Sequence, residues 1–296
     1  MSPRGIKKRI EKALQERYAI NAQNWNRYTR FFPAIDGSVK LMTNPVLGPT
    51  LKKMSALENP TKDFSQGYIL TINRDLTYAK RSKNVVFPIT MVQRVIKQST
   101  YRVIMNRCFC RDGNKCREYP RDLGCIMLGE GTRVLAQRGV AREVTTKEAL
   151  DQLGKAADMG LVAMCLWMEW EAAAMGISEE EHHDLLEICL CCPCCCLGLR
   201  NFKKMPSDVR QRFSSIGWKA ASGKGCVSCG MCAASCPMGA ISLGSDSITV
   251  SDECIGCGIC ASSCPQNAIH MVQSAPIKKE ILDYFWGFRP NIRSAV

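Results

Sequence analysis

Two cysteine-rich segments with the same spacing restrict the C-terminal part of the chain more than any other feature of the sequence. CVSCGMCAASCPMGAI begins at Cys226 and CIGCGICASSCPQNAI begins at Cys254, so every cysteine recurs 28 residues later. Each copy reads C-x-x-C-x-x-C-x-x-x-C-P, and the stretch between them, ISLGSDSITV, predicts two short strands around a turn. Two copies are too few for a repeat array, so the pattern predicts one small pseudo-two-fold domain.

This spacing favours iron–sulfur chemistry over zinc. Three closely spaced cysteines can curl around one four-iron cubane, whose fourth thiolate must then come from elsewhere. Small residues between the cysteines, such as Gly230, Gly256 and Gly258, let backbone N–H groups approach the sulfurs. A pair of zinc sites is the alternative, but a zinc ribbon uses two C-x-x-C pairs and needs no third cysteine followed by C-P.

Residues from about 222 to 272 resemble the bacterial-type ferredoxin domain that carries two 4Fe-4S clusters. Every cysteine of that pattern is present, and so are both prolines, Pro237 and Pro265. The resemblance covers less than a fifth of the chain. It implies one cluster held by Cys226, Cys229, Cys232 and Cys264, and a second cluster held by Cys254, Cys257, Cys260 and Cys236.

Eleven further cysteines lie upstream of this segment, ten of them in two sets, and the chain has none before Cys108. The first set lies in CFCRDGNKCREYPRDLGC, where arginines and a lysine surround the thiols and would lower their pKa. Four thiols in this stretch predict a metal site, with buried structural thiols as the alternative. The first set comprises Cys108, Cys110, Cys116 and Cys125.

The second upstream set places six cysteines in the stretch ICLCCPCCCLG, the cysteine strip, Ile188 to Gly198. One cubane or tetrahedral site takes four ligands, and adjacent residues of an extended chain point to opposite sides. One face is therefore expected to share a cluster with the first set, and the other to offer a second cluster, a dithiol couple or packing. Ten thiols suffice for one or two further iron–sulfur clusters. The six are Cys189, Cys191, Cys192, Cys194, Cys195 and Cys196.

Charge and composition indicate the class of protein and of partner. Nineteen cysteines in a 296-residue chain that opens without an apolar leader predict a reducing cytoplasm, and oxygen-sensitive clusters suggest an anaerobic one. No apolar run reaches the length of a membrane span.

The net charge is +13, whereas residues 222–275 hold one lysine against three acidic residues. The basic remainder predicts redox partners with an acidic docking surface. No nucleic-acid-binding motif is present.

The predicted fold class is α+β. A mainly helical, basic, cysteine-rich region is expected at residues 1–217, the ferredoxin module at 218–275 and an aromatic tail at 276–296. Pro88 opens a predicted helix, and Thr145 with Glu148 forms a predicted capping box for another. A third helix, carrying His182 and His183, is expected to lead into Cys189. Cys165 is expected in the core.

Three functions fit the sequence. The first is an electron-transfer protein that relays low-potential electrons through two 4Fe-4S clusters and at least one upstream cysteine-ligated cluster. The second is a ferredoxin-fed reductase of a disulfide or another small acceptor, with its active site at Cys189–Cys196. The third is a redox-sensing module whose basic region docks on an anionic surface. The sequence names no catalytic residue, donor, acceptor, reduction potential or oligomeric state.

Overall fold

The computed structural model describes residues 17–54, 67–73, 75–76, 78–79, 88–166, 172, 174–177 and 185–277. These residues form a mixed α+β structure. The helices are α1 Trp25–Arg30, α2 Phe32–Leu41, α3 Gly48–Met54, α4 Pro88–Gln98, α5 Phe109–Gly113, α6 Arg133–Gln137, α7 Thr146–Asp158, α8 Leu197–Asn201, α9 Ser207–Arg210, α10 Met231–Ser235 and α11 Ile259–Ser262, with 3-10 turns at Glu130–Thr132 and Phe202–Lys204.

The strands form three sheets, of seven, three and two strands. They are β1 Gly67–Thr71, β2 Tyr78–Ala79, β3 Arg102–Met105, β4 Ile126–Leu128, β5 Ala141–Glu143, β6 Val162–Leu166, β7 Leu186–Cys191, β8 Phe213–Ser215, β9 Trp218–Ser222, β10 Ile241–Leu243, β11 Ile248–Val250 and β12 Ile269–Gln273.

The seven-stranded sheet is the scaffold of the upstream region, in the order β5-β3-β4-β7-β6-β1-β8. Its neighbours are antiparallel except β1 and β8, which run parallel. Strand β7 lies at the centre, between β4 and β6. The sheet therefore brings the end of the first cysteine set, Cys125 beside β4, next to the start of the second set on β7.

Two helices cover one face of this sheet, and both follow the sequence prediction. Helix α4 begins at Pro88, whose missing N–H needs no partner there, and buries Met91, Val92, Val95 and Ile96. Helix α7 begins after Thr145, whose side chain accepts the N–H of Glu148 in a complete capping box. The apolar sides of both helices join the core that contains Ile126 and the rest of that sheet face.

The opposite face packs against a second group of apolar side chains. Trp25 of α1, Leu135 of α6 and Met127 of β4 belong to this second core. Helix α5, which carries Cys110, is tied to α1 because the Trp25 indole Nε1 donates to Asp112 Oδ2 at 2.7 Å. The first cysteine set is thus fixed by α5 on one side and by the sheet on the other.

The ferredoxin module is joined to the upstream region through a shared sheet and a shared core. Strand β12 pairs with β9 on one side and, in parallel, with β2 on the other. One continuous core contains Cys191 of the upstream strip together with Cys257 and Cys260 of the module. The predicted hairpin between the two repeats is present as β10 and β11.

The prediction of a mainly helical upstream region is wrong, because a seven-stranded sheet forms its scaffold. Strands such as β4 and β6 are short apolar runs buried in a central sheet, so they lack the alternation that marks a half-exposed strand. The segment that enters the cysteine strip is also a strand: Leu186–Cys191 is β7, not the end of a helix.

Several predicted features lie outside the described residues, among them His182, His183 and the aromatic tail beyond Ile277. Cys165 is fully buried in β6, as expected of a core residue. Within the described ranges, the helices are all too short or too polar to cross a bilayer.

Candidate metal centres

The ten upstream thiols regroup into two clusters that each draw on both sequence sets. Cys116 joins three residues of the strip in one group of four. The other three thiols of the first set lie with the remaining three of the strip, linked by mutual thiol contacts. The four-thiol group is Cys116, Cys192, Cys194 and Cys195. The six-thiol group is Cys108, Cys110, Cys125, Cys189, Cys191 and Cys196.

Strand geometry explains this division. Alternation along β7 directs Cys189 and Cys191 to one side of the sheet. Cys125, just before β4, lies beside them, and its Sγ is 3.2 Å from Cys189 Sγ. The chain leaves the strand after Cys191 and turns at residues 193–195, so the next thiols point elsewhere. The thiols of this stretch therefore divide because a strand is followed by a turn, and not through alternation along one extended chain.

A buried carboxyl group completes the six-thiol group. Glu187 is only 3 % exposed, and the Cys189 thiol donates to its Oε1 at 3.0 Å. Cys125, Glu187 and Cys189 offer three ligand atoms that lie within 4.8 Å of one another. Burial raises the pKa of Glu187. Sequence reasoning missed this residue, although a glutamate inside the apolar run LLEICLC was a signal.

One thiol of the six-thiol group, that of Cys196, has a lowered pKa. Hydrogen bonds from the thiols of Cys110 and Cys191 hold the pKa of Cys196 well below its usual value, and backbone N–H groups at the start of α8 add to the effect. The same contact with Cys196, together with burial, raises the pKa of Cys110. The group can thus hold negative charge, which is what thiolate ligation of a metal requires.

Arg111 lies between the two groups with its side chain almost wholly buried, at 1 % exposure. Its guanidinium donates to the carbonyl oxygen of Leu190 at 2.7 Å and to that of Leu123. Burial by itself would lower the pKa of Arg111, but negative charge on Cys108 and Cys192 outweighs it and the pKa is raised. The arginine therefore supplies fixed positive charge to both thiol groups.

The four-thiol group is compact and lies at the surface. All four sulfurs are within 4.8 Å of one another, and Cys116 Sγ is 3.7 Å from Cys194 Sγ. Cys194 is exposed and the other three residues are buried. Burial would raise the pKa of Cys116, but the backbone N–H of Tyr119 and the thiol of Cys195 outweigh it, so that pKa is lowered.

The eight cysteines of the repeat form two sets with different exposure. Cys229 is exposed, whereas Cys257 and Cys260 are buried. Burial raises the pKa of Cys232, and negative charge on Cys226 and Cys264 raises it further. Burial likewise raises the pKa of Cys257 to about 12, with charge on Cys254 and Cys236 adding to it. The last cysteine of each repeat therefore lies near cysteines of the other repeat, Cys264 near Cys232 and Cys236 near Cys257.

Backbone hydrogen bonds to sulfur repeat with the same symmetry. Ala240 N donates to Cys236 Sγ and Ala268 N donates to Cys264 Sγ, each at 3.3 Å. Gly230 and Gly258 occupy equivalent positions at φ +79° and +77°, where a side chain would be strained. A donor set of eight thiolates, two of them receiving N–H groups, fits a pair of iron–sulfur cubanes.

The second of these sets lies close to the six-thiol group. A Cβ atom on Gly258 would be 2.7 Å from Thr71 Oγ1, so the module touches the end of β1 there. Thr71 pairs with Val162, and Val162 pairs with Cys191. Two strand spacings of ~4.8 Å place Thr71 and Cys191 on the order of 10 Å apart. The module thus meets the seven-stranded sheet two strands away from Cys191.

Comparison with known proteins identifies the C-terminal segment only. The family profile described as a 4Fe-4S dicluster domain matches residues 225–269, which confirms the ferredoxin resemblance. No curated protein and no solved structure matches the chain. Residues 225–269 are therefore an iron–sulfur domain, and the upstream thiol groups are interpreted from their geometry alone.

Proposed function

Because the chain carries a 4Fe-4S dicluster domain, we propose that it is an iron–sulfur electron-transfer protein whose module exchanges electrons with an upstream centre at the six-thiol group. The module spans residues 218–275 and holds two 4Fe-4S clusters, on Cys226, Cys229, Cys232 and Cys264 and on Cys254, Cys257, Cys260 and Cys236. When bound, the clusters supply one-electron chemistry through changes of iron valence, and no catalytic residue is needed.

The continuity between module and upstream region is the observation that supports this proposal. Gly258 of the module contacts Thr71, and the sheet register continues from Thr71 through Val162 to Cys191. The same residues belong to, or border, one buried core. Side chains packed in this way exclude water between the centres and keep their separation fixed.

The different exposure of the two cysteine sets of the module indicates where a partner protein would exchange electrons with the proposed relay. Cys229 belongs to the outer set, and Val227 and Met231 beside it are 60 % and 50 % exposed. The other set is buried against Thr71. Partner proteins would therefore meet the chain near Cys229. The basic charge outside the module would attract partners that are acidic. Free thiols and iron–sulfur ligation fit a reducing, oxygen-poor cytoplasm.

A disulfide reductase at the cysteine strip is supported less well, because of access. Cys191, Cys192, Cys195 and Cys196 are buried, and Cys194 is the exposed thiol of the strip. Burial raises the pKa of Cys194, whereas the thiol with a lowered pKa, Cys196, is out of reach of a substrate. Attack on a disulfide needs a thiolate that is also accessible.

The proposal is tested on the full chain with Cys191→Ala and, as a matched control, Cys165→Ala, a buried cysteine outside both thiol groups. Proteins purified without oxygen are titrated with dithionite, and iron, acid-labile sulfide and electrons accepted are counted per chain. We expect wild type and the control to accept more than the two electrons that two cubanes take up. Cys191→Ala should lose the surplus together with iron and sulfide.

The relay itself is tested by rapid mixing of the reduced proteins with an oxidised viologen. Wild type should deliver all its electrons in one fast phase, and Cys191→Ala only those of the module. Wild type that accepts only two electrons, the number that two cubanes take up, would contradict an upstream iron–sulfur centre. Equal iron, sulfide and electron counts in Cys191→Ala and wild type would contradict Cys191 as one of its ligands. A surplus delivered far more slowly than the module's electrons would contradict the relay.

A further inference from the structure

The four-thiol group differs in spacing from the sulfurs of the ferredoxin module, although both consist of four cysteines. Cys116, Cys192, Cys194 and Cys195 have all their sulfurs within 4.8 Å of one another. The cysteines of the module are all described, yet none of them belongs to a group of three ligand atoms this close. One chain thus contains cysteine sets of two distinct sizes.

For a set of four thiolates that all ligate, this difference in spacing distinguishes a single ion from a cluster. Thiolates on one tetrahedral ion at ~2.3 Å are ~3.8 Å from each other, because the edge of a tetrahedron is about 1.6 times its centre-to-corner distance. The 3.7 Å between Cys116 Sγ and Cys194 Sγ matches that edge. Thiolates on a cubane lie farther apart, since each caps a different iron at a separate corner.

Local structure holds the four residues in this arrangement. Cys116 N donates to Arg111 O at 2.8 Å, and Lys115 before it has φ +51°, an uncommon value for a residue with a side chain. The turn carrying Cys195 is tied to the same loop, because Asn114 Nδ2 donates to Cys195 O at 3.0 Å. Arg200 in turn donates to Asn114 Oδ1 at 3.0 Å. The loop and the turn are therefore fastened to each other independently of their thiols.

We propose that Cys116, Cys192, Cys194 and Cys195 bind one tetrahedral metal ion, zinc or iron, and not an iron–sulfur cluster. Four thiolates in a tetrahedron suit either metal. Two positive charges on the ion leave the site with net negative charge, which the buried Arg111 beside Cys192 offsets in part. The site has no open coordination position, so its role is structural or limited to outer-sphere electron exchange. It does not depend on the proposed function.

The test uses the full chain and Cys194→Ala, which changes an exposed residue, with Cys165→Ala as the control. Zinc, iron and acid-labile sulfide are counted per chain after anaerobic purification. Loss of about one zinc from Cys194→Ala, or of about one iron with sulfide unchanged, supports the site and identifies its metal. Loss of iron and sulfide in equal amounts, or no loss of metal, overturns it.

X-ray absorption on the wild-type chain requires no variant. If zinc is present, its edge should show four sulfur neighbours at ~2.3 Å and no iron neighbour. If the site holds iron, Cys194→Ala should lose the iron component that has sulfur neighbours but no iron neighbour. Unchanged sulfide in Cys194→Ala also shows that the module is intact. A zinc edge dominated by nitrogen or oxygen neighbours would overturn a zinc site at these four residues.

Discussion

At the scale of single residues, Arg111 has the most unusual environment in the described part of the chain. A guanidinium at 1 % exposure next to two thiol groups is costly to desolvate and is retained through its charge and two carbonyl contacts. Its nearest charged neighbours are cysteines of both groups. We therefore expect it to set the potential of the upstream centre.

Arg111→Met should make the midpoint potential of the upstream centre more negative, because reduction adds negative charge that the arginine no longer offsets. The shift is on the order of 100 mV, because a unit charge adjacent to a site contributes a few kcal/mol at an effective dielectric constant of about 20. Arg111→Lys keeps the charge and should shift the potential much less. Arg117→Met, at an exposed position, is the control. The potentials are measured by electron paramagnetic resonance during a redox titration.

Gly258 allows a second test at this scale, because the repeat supplies its control. Gly258→Ala and Gly230→Ala place a Cβ at nearly the same positive φ, so both lose the glycine backbone advantage. Only Gly258 would also press against Thr71 Oγ1 and Leu76, at 2.7 and 2.8 Å. Overpacking costs roughly 1–3 kcal/mol, so Gly258→Ala should melt at least ~2 °C below Gly230→Ala.

Thermal unfolding followed by circular dichroism under anaerobic conditions measures this difference. Cluster content is determined for both variants, because the two glycines occupy equivalent places beside their cysteines. Equal melting temperatures with equal iron content would show that the module does not rest on Thr71.

The grouping of the cysteines could be predicted from the sequence only where their spacing along the chain is regular. The eight repeat cysteines and their two-fold relation follow from the spacing alone. The division of the other ten does not, because Cys116 joins Cys192 only through a loop turn at Lys115. Glu187 was missed for a related reason: its neighbour Cys125 is brought to it by strand pairing, which a linear pattern does not display.

At the scale of elements, helix α7 is stabilised at its start by a reciprocal cap. Thr145→Ala removes the acceptor for the N–H of Glu148 and should lower the free energy of unfolding by about 1 kcal/mol. Thr146→Ala, one position later, leaves the capping box intact and is the matched control. Denaturant unfolding without oxygen measures both, and equal effects would show that the box contributes nothing.

The same cap carries a pH dependence. Hydrogen bonds from the backbone and side chain of Thr145 lower the pKa of Glu148. A carboxyl group whose pKa is lower in the folded state stabilises the fold fully above its unfolded-state pKa of ~4.3, and loses that contribution as the pH falls through the folded value. The difference in stability between wild type and Thr145→Ala should therefore shrink below about pH 4.

Helices were easier to predict than strands in this chain. Helices α4 and α7 carry an apolar face at helical spacing together with a start signal, and both formed where expected. Strands β3, β4, β6 and β7 have three to six residues and lie inside a sheet covered on both faces. Their short apolar runs show no alternation of apolar and polar residues. Periodicity therefore cannot tell these strands from buried helix, and only their pairing with distant strands identifies them.

At the scale of the whole molecule, charge separates the module from the rest. The chain has a net charge of +13, while residues 222–275 have a net charge of −2. The rate of electron exchange with an acidic partner, such as a flavodoxin, should fall about tenfold or more between low and high salt, because steering by opposite charge is screened. Exchange with an uncharged quinone should change little. A rate that rises with salt would argue against acidic partners.

The parallel pairing of β2 with β12 joins positions roughly two hundred residues apart, Tyr78 with Met271 and Ala79 with Val272. At synthesis rates of about 5–20 residues per second, β2 leaves the ribosome about 10–40 s before the strand it needs. The upstream cysteines through Cys196 are all made within that interval. The six-thiol group is therefore synthesised before β12 can pair with β2, and the centre proposed there can assemble before the module is complete.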